Sequence, residues 1–173
     1  MIFSNSEDKP VFTMLSLGTN LGDRQANIDT AVRHLINESV LTDVRTSSYY
    51  ETEPVGFIDQ PPFINIVLTA MTKMSLVNLM QYCKSVEYFM GRTIRERWHE
   101  REIDIDILLY ADSVMHSSHL TIPHPRMHER KFVLVPADEI AEKIMHPKLN
   151  KSISRLLKEC DDDSEVRSLR FKK

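Results

Sequence analysis

The sequence has little of several residue types whose abundance would define a protein class. Its 173 residues include two cysteines, four glycines and one tryptophan, and the formal net charge is −3. Two cysteines are too few for a disulfide scaffold, and no apolar run approaches the ~20 residues of a membrane span. A slightly negative chain also lacks the basic surplus of a general nucleic-acid binder. The first residues are polar and acidic rather than signal-like, so we expect a cytoplasmic protein that binds neither nucleic acid nor membrane.

The remaining composition is that of an ordinary globular chain. The hydrophobic fraction is 42% and the charged fraction is 27%, which is enough apolar surface for one core. At this length we expect a single domain over residues 1–173. Cys83 and Cys160 stand in no metal-ligand spacing, and we predict a buried small residue and a tail thiol.

Hydrophobic periodicity predicts alternating strands and helices. Strands are expected over 11–17, 63–70 and 103–109, with a polar β-type segment over 44–50 and a loop over 51–62. Amphipathic helices follow Asp23 and Ser75, which are placed as N-caps, and another helix is expected near 132–140. The end of the chain, 152–173, is predicted to be a helix and a solvated tail. The order predicts an α+β fold with a ferredoxin-like β-α-β-β-α-β core, an antiparallel sheet with helices packed on one face, and an extra C-terminal hairpin and helices.

Two aspartates on the strand over 103–109 are the first candidate site residues. Side chains alternate along a strand, so Asp104 and Asp106 share a face, with Cβ atoms roughly 7 Å apart. The opposite face is predicted to carry Ile103, Ile105, Ile107 and Leu109. Like charges this close favour a divalent cation, and Mg²⁺ is typically held by one or two carboxylates with water and substrate phosphates. The alternative is a solvent-facing strand with two surface aspartates.

Arginines precede this acidic pair within about ten residues. They are Arg92, Arg95, Arg97 and Arg101, with Trp98 among them. Guanidinium groups match phosphate oxygens bidentately, so a polyphosphate substrate is indicated, although a solvated basic loop paired with nearby glutamates is the alternative. The sequence contains no glycine-rich phosphate loop, and phosphate would therefore be held by side chains and metal.

Two further positions indicate a site for a flat heterocycle. Phe63 and Asn65 share a strand face, which would provide a stacking surface and an amide that reads the edge of a ring. The alternative is an ordinary core phenylalanine beside a capped asparagine. Glu87 lies near the inner face of the second helix, where a half-buried carboxylate would either pair with an arginine or read a base.

Several motifs occur in a fixed order over about residues 11–140. They are LGTNLG at 17–22, SSYYETEPVG at 47–56, QPPFIN at 60–65, RWHEREIDIDIL at 97–108 and LTIPH at 120–124, followed by Arg130 and Phe132. In this order they resemble the 6-hydroxymethyl-7,8-dihydropterin pyrophosphokinase family. The chain departs from the usual pattern at His99, His119 and Phe63, and the loop over 91–98 is one residue shorter than in some relatives.

The resemblance implies transfer of the diphosphate of ATP to the pterin hydroxymethyl group, which releases AMP, by a monomer. It implies two Mg²⁺ ions on Asp104 and Asp106 that bridge the ATP phosphates. Phosphate contacts in a mobile loop are implied for Arg92 and Arg101, with Trp98 closing over the site. The other implied ATP contacts are Glu87, Ile107, Thr121, His124 and Arg130. The implied pterin contacts are Thr52, Val55, Phe63, Asn65 and Phe132.

Two other functions remain open at the level of sequence. A non-catalytic ferredoxin-like binding or regulatory module would keep a ligand pocket without needing both aspartates. An ordinary kinase on the same scaffold would transfer the γ-phosphoryl group and release ADP instead of AMP.

Overall fold

The structure is a computed structural model that describes residues 9–36, 39–54, 59–91 and 100–169. The strands of its main sheet are β1 (Val11–Thr19), β2 (Thr42–Thr46), β3 (Tyr49–Thr52), β4 (Phe63–Thr72), β5 (Asp104–Tyr110) and β10 (Val166–Leu169). Two short hairpins are formed by β6 (Met115–His116) with β7 (Thr121–Ile122) and by β8 (Met145–His146) with β9 (Lys151–Ser152). The helices are α1 (Arg24–Ile36), α2 (Leu76–Phe89), α3 (Lys131–Ala141) and α4 (Ile153–Lys158), with a 3-10 turn over Met127–Glu129. Within these described ranges, no helix is long and apolar enough to cross a membrane.

The main sheet is antiparallel, which confirms the predicted α+β class with helices on an antiparallel sheet. Its strand order is β10-β3-β4-β1-β5, and β2 also pairs with β4. The segment expected as one strand over 44–50 is two strands, because Ser47 interrupts it. The Ser47 hydroxyl accepts the backbone N–H of Val67 at 3.0 Å, so a side chain takes a place in the ladder.

Two other segments differ from the sequence prediction. Glu51 and Thr52 belong to β3 rather than to a loop, since Thr52 pairs with Phe63 on one side and Val166 on the other. The same pairing shows that the tail is not wholly solvated, because residues 166–169 form the edge strand β10. Both features depend on contacts between segments far apart in sequence, which local patterns do not reveal.

Helices cover both faces of the sheet, rather than the one face that was predicted. One core cluster joins α1 and α2 to β1, β4 and β5 through residues such as Leu15, Leu17, Ile28, Leu79, Ile66, Ile103, Ile105 and Ile107. A second cluster joins α3 and α4 to the other face through Met14, Val67, Leu108, Leu109, Val133, Leu134, Ile153 and Leu156. The predicted N-caps are present, since Asp23 accepts from Ala26 N at 3.0 Å and Ser75 accepts from Asn78 N at 3.3 Å.

The position of Leu109 corrects the predicted alternation of β5. Ile103, Ile105 and Ile107 lie in the first cluster as predicted, but Leu109 lies in the second together with Leu108. The register between β1 and β5 shifts at this point and leaves an extra residue on β5. A bulge of this kind reverses which face the following side chains point to.

Candidate active site

The candidate site lies on the face of the sheet that carries α3 and α4, across the three adjacent strands β4, β1 and β5. Gly18 of β1 pairs with Asn65 on one side and Asp104 on the other, and Ser16 pairs with Asp106. Directly paired residues of antiparallel strands project from the same face. These side chains therefore meet in one cavity of about 440 Å³, which we call the main cavity. Its lining includes Ser16, Gly18, Thr52, Phe63, Asn65, Lys84, Arg101, Asp104, Asp106, Arg126, Arg130 and Phe132.

Asp104 and Asp106 open into the main cavity, as their shared strand face predicts. Their side chains are 22% and 34% exposed, which differs from the fully solvated pair of the alternative interpretation. The Asp104 carboxylate accepts a hydrogen bond from the guanidinium of Arg101. His124 Nε2 lies 3.9 Å from the Asp106 carboxylate. Asp104 therefore stands next to a guanidinium group, and Asp106 stands next to an imidazole ring.

His124 is placed by its backbone as well as by its ring. Its N–H donates to Leu108 O at 2.9 Å, and Nδ1 accepts the N–H of Arg126 at 3.3 Å. Burial lowers the pKa of His124, and the nearby charges of Arg130 and Arg126 act in the same direction against that of Asp106. Because Nδ1 accepts the N–H of Arg126, a ring proton is on Nε2, which faces Asp106.

Asn20 ties together two segments that border the main cavity. Its Oδ1 accepts the N–H of Arg101 at 2.8 Å, while its Nδ2 donates to Gln60 Oε1 at 3.0 Å and to Pro61 O at 3.1 Å. The neighbouring Thr19 hydroxyl donates to Glu102 O at 2.7 Å. Asn20 is only 1% exposed, so its polar groups depend on these bonds. Sequence reasoning did not single out Asn20, although a polar residue directly after a buried strand was a usable signal.

The main cavity is also lined by the expected heterocycle-binding residues, from β4 and α3. Phe63 and Phe132 both line it, and the guanidinium carbon of Arg130 lies 5.6 Å from the centre of the Phe132 ring. Asn65 is buried, and its Nδ2 donates to the Thr52 hydroxyl at 2.9 Å. A Cβ atom at Gly18 would lie 2.8 Å from Asn65 Oδ1, so glycine is needed there for the amide to keep this position.

A second cavity of about 300 Å³ adjoins the first, and we call it the side cavity. It brings together three of the predicted ATP contacts, Ile107, Thr121 and His124, with Cys83, His119 and Leu120. Lys84 and Asp106 line both cavities and therefore mark their junction. The two cavities provide adjoining spaces for two ligands or for two parts of one ligand.

Glu87 differs from the half-buried side chain that was expected. It is 2% exposed. Its carboxylate accepts the backbone N–H of Ile105 at 2.7 Å and forms an ion pair with Lys84 Nζ at 2.8 Å. Glu87 lines neither cavity, so in this structure it links α2 to β5 beside the site. Lys84 was missed from the sequence, although its position one helical turn before Glu87 predicts such a pair.

Three predicted site residues, Val55, Arg92 and Trp98, lie outside the described residues. In the part of the chain that the structure describes, no group of three or more His, Cys, Asp or Glu side chains is arranged to hold a metal. The pair Asp104 and Asp106 nevertheless fits Mg²⁺, because this ion needs few protein carboxylates when substrate phosphates and water complete its shell.

Two carboxylates that share a cavity with Arg101, Arg126 and Arg130 are typical of proteins that bind phosphates together with metal ions. The family model described as 7,8-dihydro-6-hydroxymethylpterin-pyrophosphokinase (HPPK) matches residues 14–142. The chain therefore belongs to the HPPK family.

Individual relatives agree with this assignment. The chain is 38% identical over 130 residues to the 2-amino-4-hydroxy-6-hydroxymethyldihydropteridine pyrophosphokinase of Bacillus subtilis. This match covers 75% of this chain and 78% of the relative. The chain is 40% identical over 139 residues to the protein of the same name from Aquifex aeolicus, and this match covers 80% and 86%. A solved Plasmodium falciparum HPPK-DHPS chain shares the fold with a TM-score of 0.71 at 18% identity, over 90% of this chain and 46% of that one. The chain thus spans less than half of that solved chain.

Proposed function

We propose that the chain transfers the diphosphate of ATP to the hydroxymethyl group of 6-hydroxymethyl-7,8-dihydropterin, and that it acts in folate biosynthesis. The observation that carries the proposal is the composition of the main cavity. Asp104 and Asp106 line it from β5, Phe63 and Asn65 line it from β4 on the other side of β1, and Phe132 lines it from α3. The relatives from Bacillus subtilis and Aquifex aeolicus are named for a pyrophosphokinase acting on this type of pterin.

The pterin is proposed to occupy the aromatic end of the main cavity. Phe63 and Phe132 would stack on its two faces, and Asn65 and Thr52 would read the donors and acceptors at its edge. Thr52 already bonds the Asn65 amide at 2.9 Å, which fixes how that amide is presented. Val55 remains a proposed contact of the pterin edge.

ATP is proposed to bind from the side cavity toward the aspartates. Thr121, His124 and Ile107 line that cavity, and His124 can donate from Nε2 to a phosphate oxygen because its Nδ1 accepts the N–H of Arg126. Arg130 lines the main cavity and contributes a positive charge there. Trp98 stays a proposed ATP contact on the basis of the family resemblance. Glu87 would affect ATP binding indirectly, because it holds Lys84 in place through an ion pair of 2.8 Å.

Asp104 and Asp106 are the proposed ligands of two Mg²⁺ ions, which would neutralise phosphate charge and hold the ATP phosphates in line. Arg101 is hydrogen-bonded to Asp104, so it stands next to the proposed phosphate position. We expect it to exchange this partner for a phosphate oxygen when the substrates bind, and Arg92 is proposed as a second phosphate contact on the basis of the family resemblance. Protein groups thus contribute charge and orientation, which carry most of the catalysis in phosphoryl transfer.

The reaction is a displacement at the β-phosphorus of ATP. The pterin hydroxyl oxygen forms a bond to that phosphorus and releases its proton to solvent, and the bond from the β-phosphorus to the oxygen of the α-phosphate breaks. AMP leaves, and the pterin diphosphate remains.

We further propose a ferredoxin-like core, a single domain over residues 1–173, a monomeric state and a cytoplasmic location.

Product analysis tests this function directly. The protein is incubated with ATP, Mg²⁺ and 6-hydroxymethyl-7,8-dihydropterin, and the nucleotide product is identified by chromatography. AMP is the expected product, whereas ADP would indicate a γ-phosphoryl kinase and no product would indicate a binding module. Asp104→Asn and Asp106→Asn should each abolish AMP formation. Asp112→Asn, at an exposed aspartate just beyond β5, is the matched control and should leave it unchanged.

A further inference from the structure

The C-terminal segment reaches the main cavity although it lies beyond the stretch that the family model matches. That match ends at residue 142, whereas Asp162 lines the cavity. The segment is anchored by β10, whose Val166 pairs with Thr52 of β3. Arg167 adds ion pairs of 3.5 Å to Glu51 and to Glu53. The segment is thus held against the strand that supports the proposed pterin contacts.

Asp162 connects this segment to the first residue of α3. Its Oδ2 accepts the backbone N–H of Lys131 at 2.8 Å, and its Oδ1 accepts that of Ser164 at 3.0 Å. Partial burial acts to raise the pKa of Asp162, but the hydrogen bonds from Ser164 and Lys131 outweigh it and hold this pKa below its usual value. The carboxylate is therefore charged at neutral pH where it meets the helix.

Helix α3 needs this contact because its own N-cap cannot supply it. The N-cap residue is Arg130, which makes no side-chain capping bond, and a guanidinium has no acceptor atom. The first turn of α3 also has no acidic residue to balance the positive end of the helix. Asp162 provides both an acceptor and a negative charge from a distant part of the chain.

We propose that Asp162 is a positioning residue for the pterin substrate, because it holds the first turn of α3 where Phe132 lines the cavity. This inference rests on the proposed function, since it assumes that the ligand of Phe132 is the pterin. Phe132 follows Lys131 directly, so a shift of the first turn moves its ring. Asp162 would then connect the edge strand β10 to the substrate site.

The test compares the full-length wild type with Asp162→Ala, Asp162→Asn and the control Asp163→Ala, whose side chain is exposed. AMP formation is measured against pterin concentration at a temperature well below the thermal midpoint of every variant. For Asp162→Ala we expect the KM for pterin to rise about tenfold while kcat changes less than about twofold, as for loss of a charge-assisted hydrogen bond that acts on binding. Asp162→Asn keeps one acceptor oxygen and should give a smaller rise, and Asp163→Ala should match the wild type.

An unchanged KM for pterin in Asp162→Ala would overturn the inference, and a lowered thermal midpoint beside it would show that Asp162 is purely structural. A wild type that forms no pterin diphosphate would refute the proposed function instead, and hydrogen exchange of the amides at 131–133 then tests the positioning by itself. Exchange there should be faster in Asp162→Ala than in Asp163→Ala, and equal exchange contradicts the inference.

Discussion

Replacing Gly18 by alanine should damage the pterin end of the site while the fold is retained. The new Cβ would stand 2.8 Å from Asn65 Oδ1, closer than such contacts occur, so the asparagine must move. Asn65 is 7% exposed, and its Nδ2 is bonded to the Thr52 hydroxyl, which limits where the amide can go. The clash therefore falls on the side chain proposed to read the edge of the pterin.

The magnitude follows from three contributions. Losing the bond between Asn65 and Thr52 costs about 1 kcal/mol, and forcing the Asn65 side chain off its rotamer costs about 1 kcal/mol more. Alanine in a strand is more stable than glycine by roughly 0.5–1 kcal/mol, which offsets part of this loss. The net loss of about 1 kcal/mol should lower the thermal midpoint by about 3 °C for a chain of this size. Pterin affinity should fall about tenfold, because one hydrogen-bonding group of about 1.4 kcal/mol is displaced.

Calorimetric titration of the pterin and thermal unfolding are measured for four proteins. These are the wild type, Gly18→Ala, Asn65→Ala and the double variant. In the Asn65→Ala background the clash is absent, so Gly18→Ala should no longer weaken pterin binding, and it should stabilise the fold slightly. Wild-type pterin affinity in Gly18→Ala would refute this reasoning, as would an equal loss of affinity in both backgrounds.

Three further predictions address the phosphate end, the cysteines and the pH dependence. Arg101→Ala should lower kcat about 100- to 1000-fold with the fold intact, since it removes a preorganised charged donor beside Asp104; single-turnover rates that match the wild type would contradict this. Burial raises the pKa of Cys83 to about 12, so a thiol reagent should label Cys160 and spare Cys83 in the native protein, which peptide mass spectrometry would check. Burial lowers the pKa of His146 from 6.5 to about 4, so the unfolded chain takes up a proton first as the pH falls and stability decreases between these pH values. In His146→Asn, that decrease in the denaturant midpoint should become smaller, and an unchanged pH profile would exclude His146 as its source.

The acidic pair was predictable from sequence because its geometry is local. Side chains two residues apart on a strand share a face, so Asp104 and Asp106 could be placed together before any tertiary contact was known. The same rule failed at Leu109, where the bulge opposite β1 reverses the alternation. A bulge depends on the partner strand, and residues 103–109 alone contain no signal for it.

Other parts of the site depend on contacts between distant segments. Thr52 lies in β3 only because Phe63 and Val166 pair with it from either side. Asp162 reaches Lys131 only because β10 returns the tail to the edge of the sheet. Neither contact has a periodic pattern, and both fell in segments that were predicted to be loop or solvated tail. Phe63 and Asn65, by contrast, lie on a regular strand, and alternation alone predicted that they share a face.

The most direct test of the account is to locate metal and nucleotide relative to the two aspartates. Crystals grown with Mn²⁺, a non-hydrolysable ATP analogue and the pterin would be measured at the manganese absorption edge. The account predicts anomalous peaks within coordination distance of Asp104 and Asp106, with the phosphates beside them and the pterin against Phe63. Nucleotide bound elsewhere, with both aspartates in contact only with solvent, would contradict it.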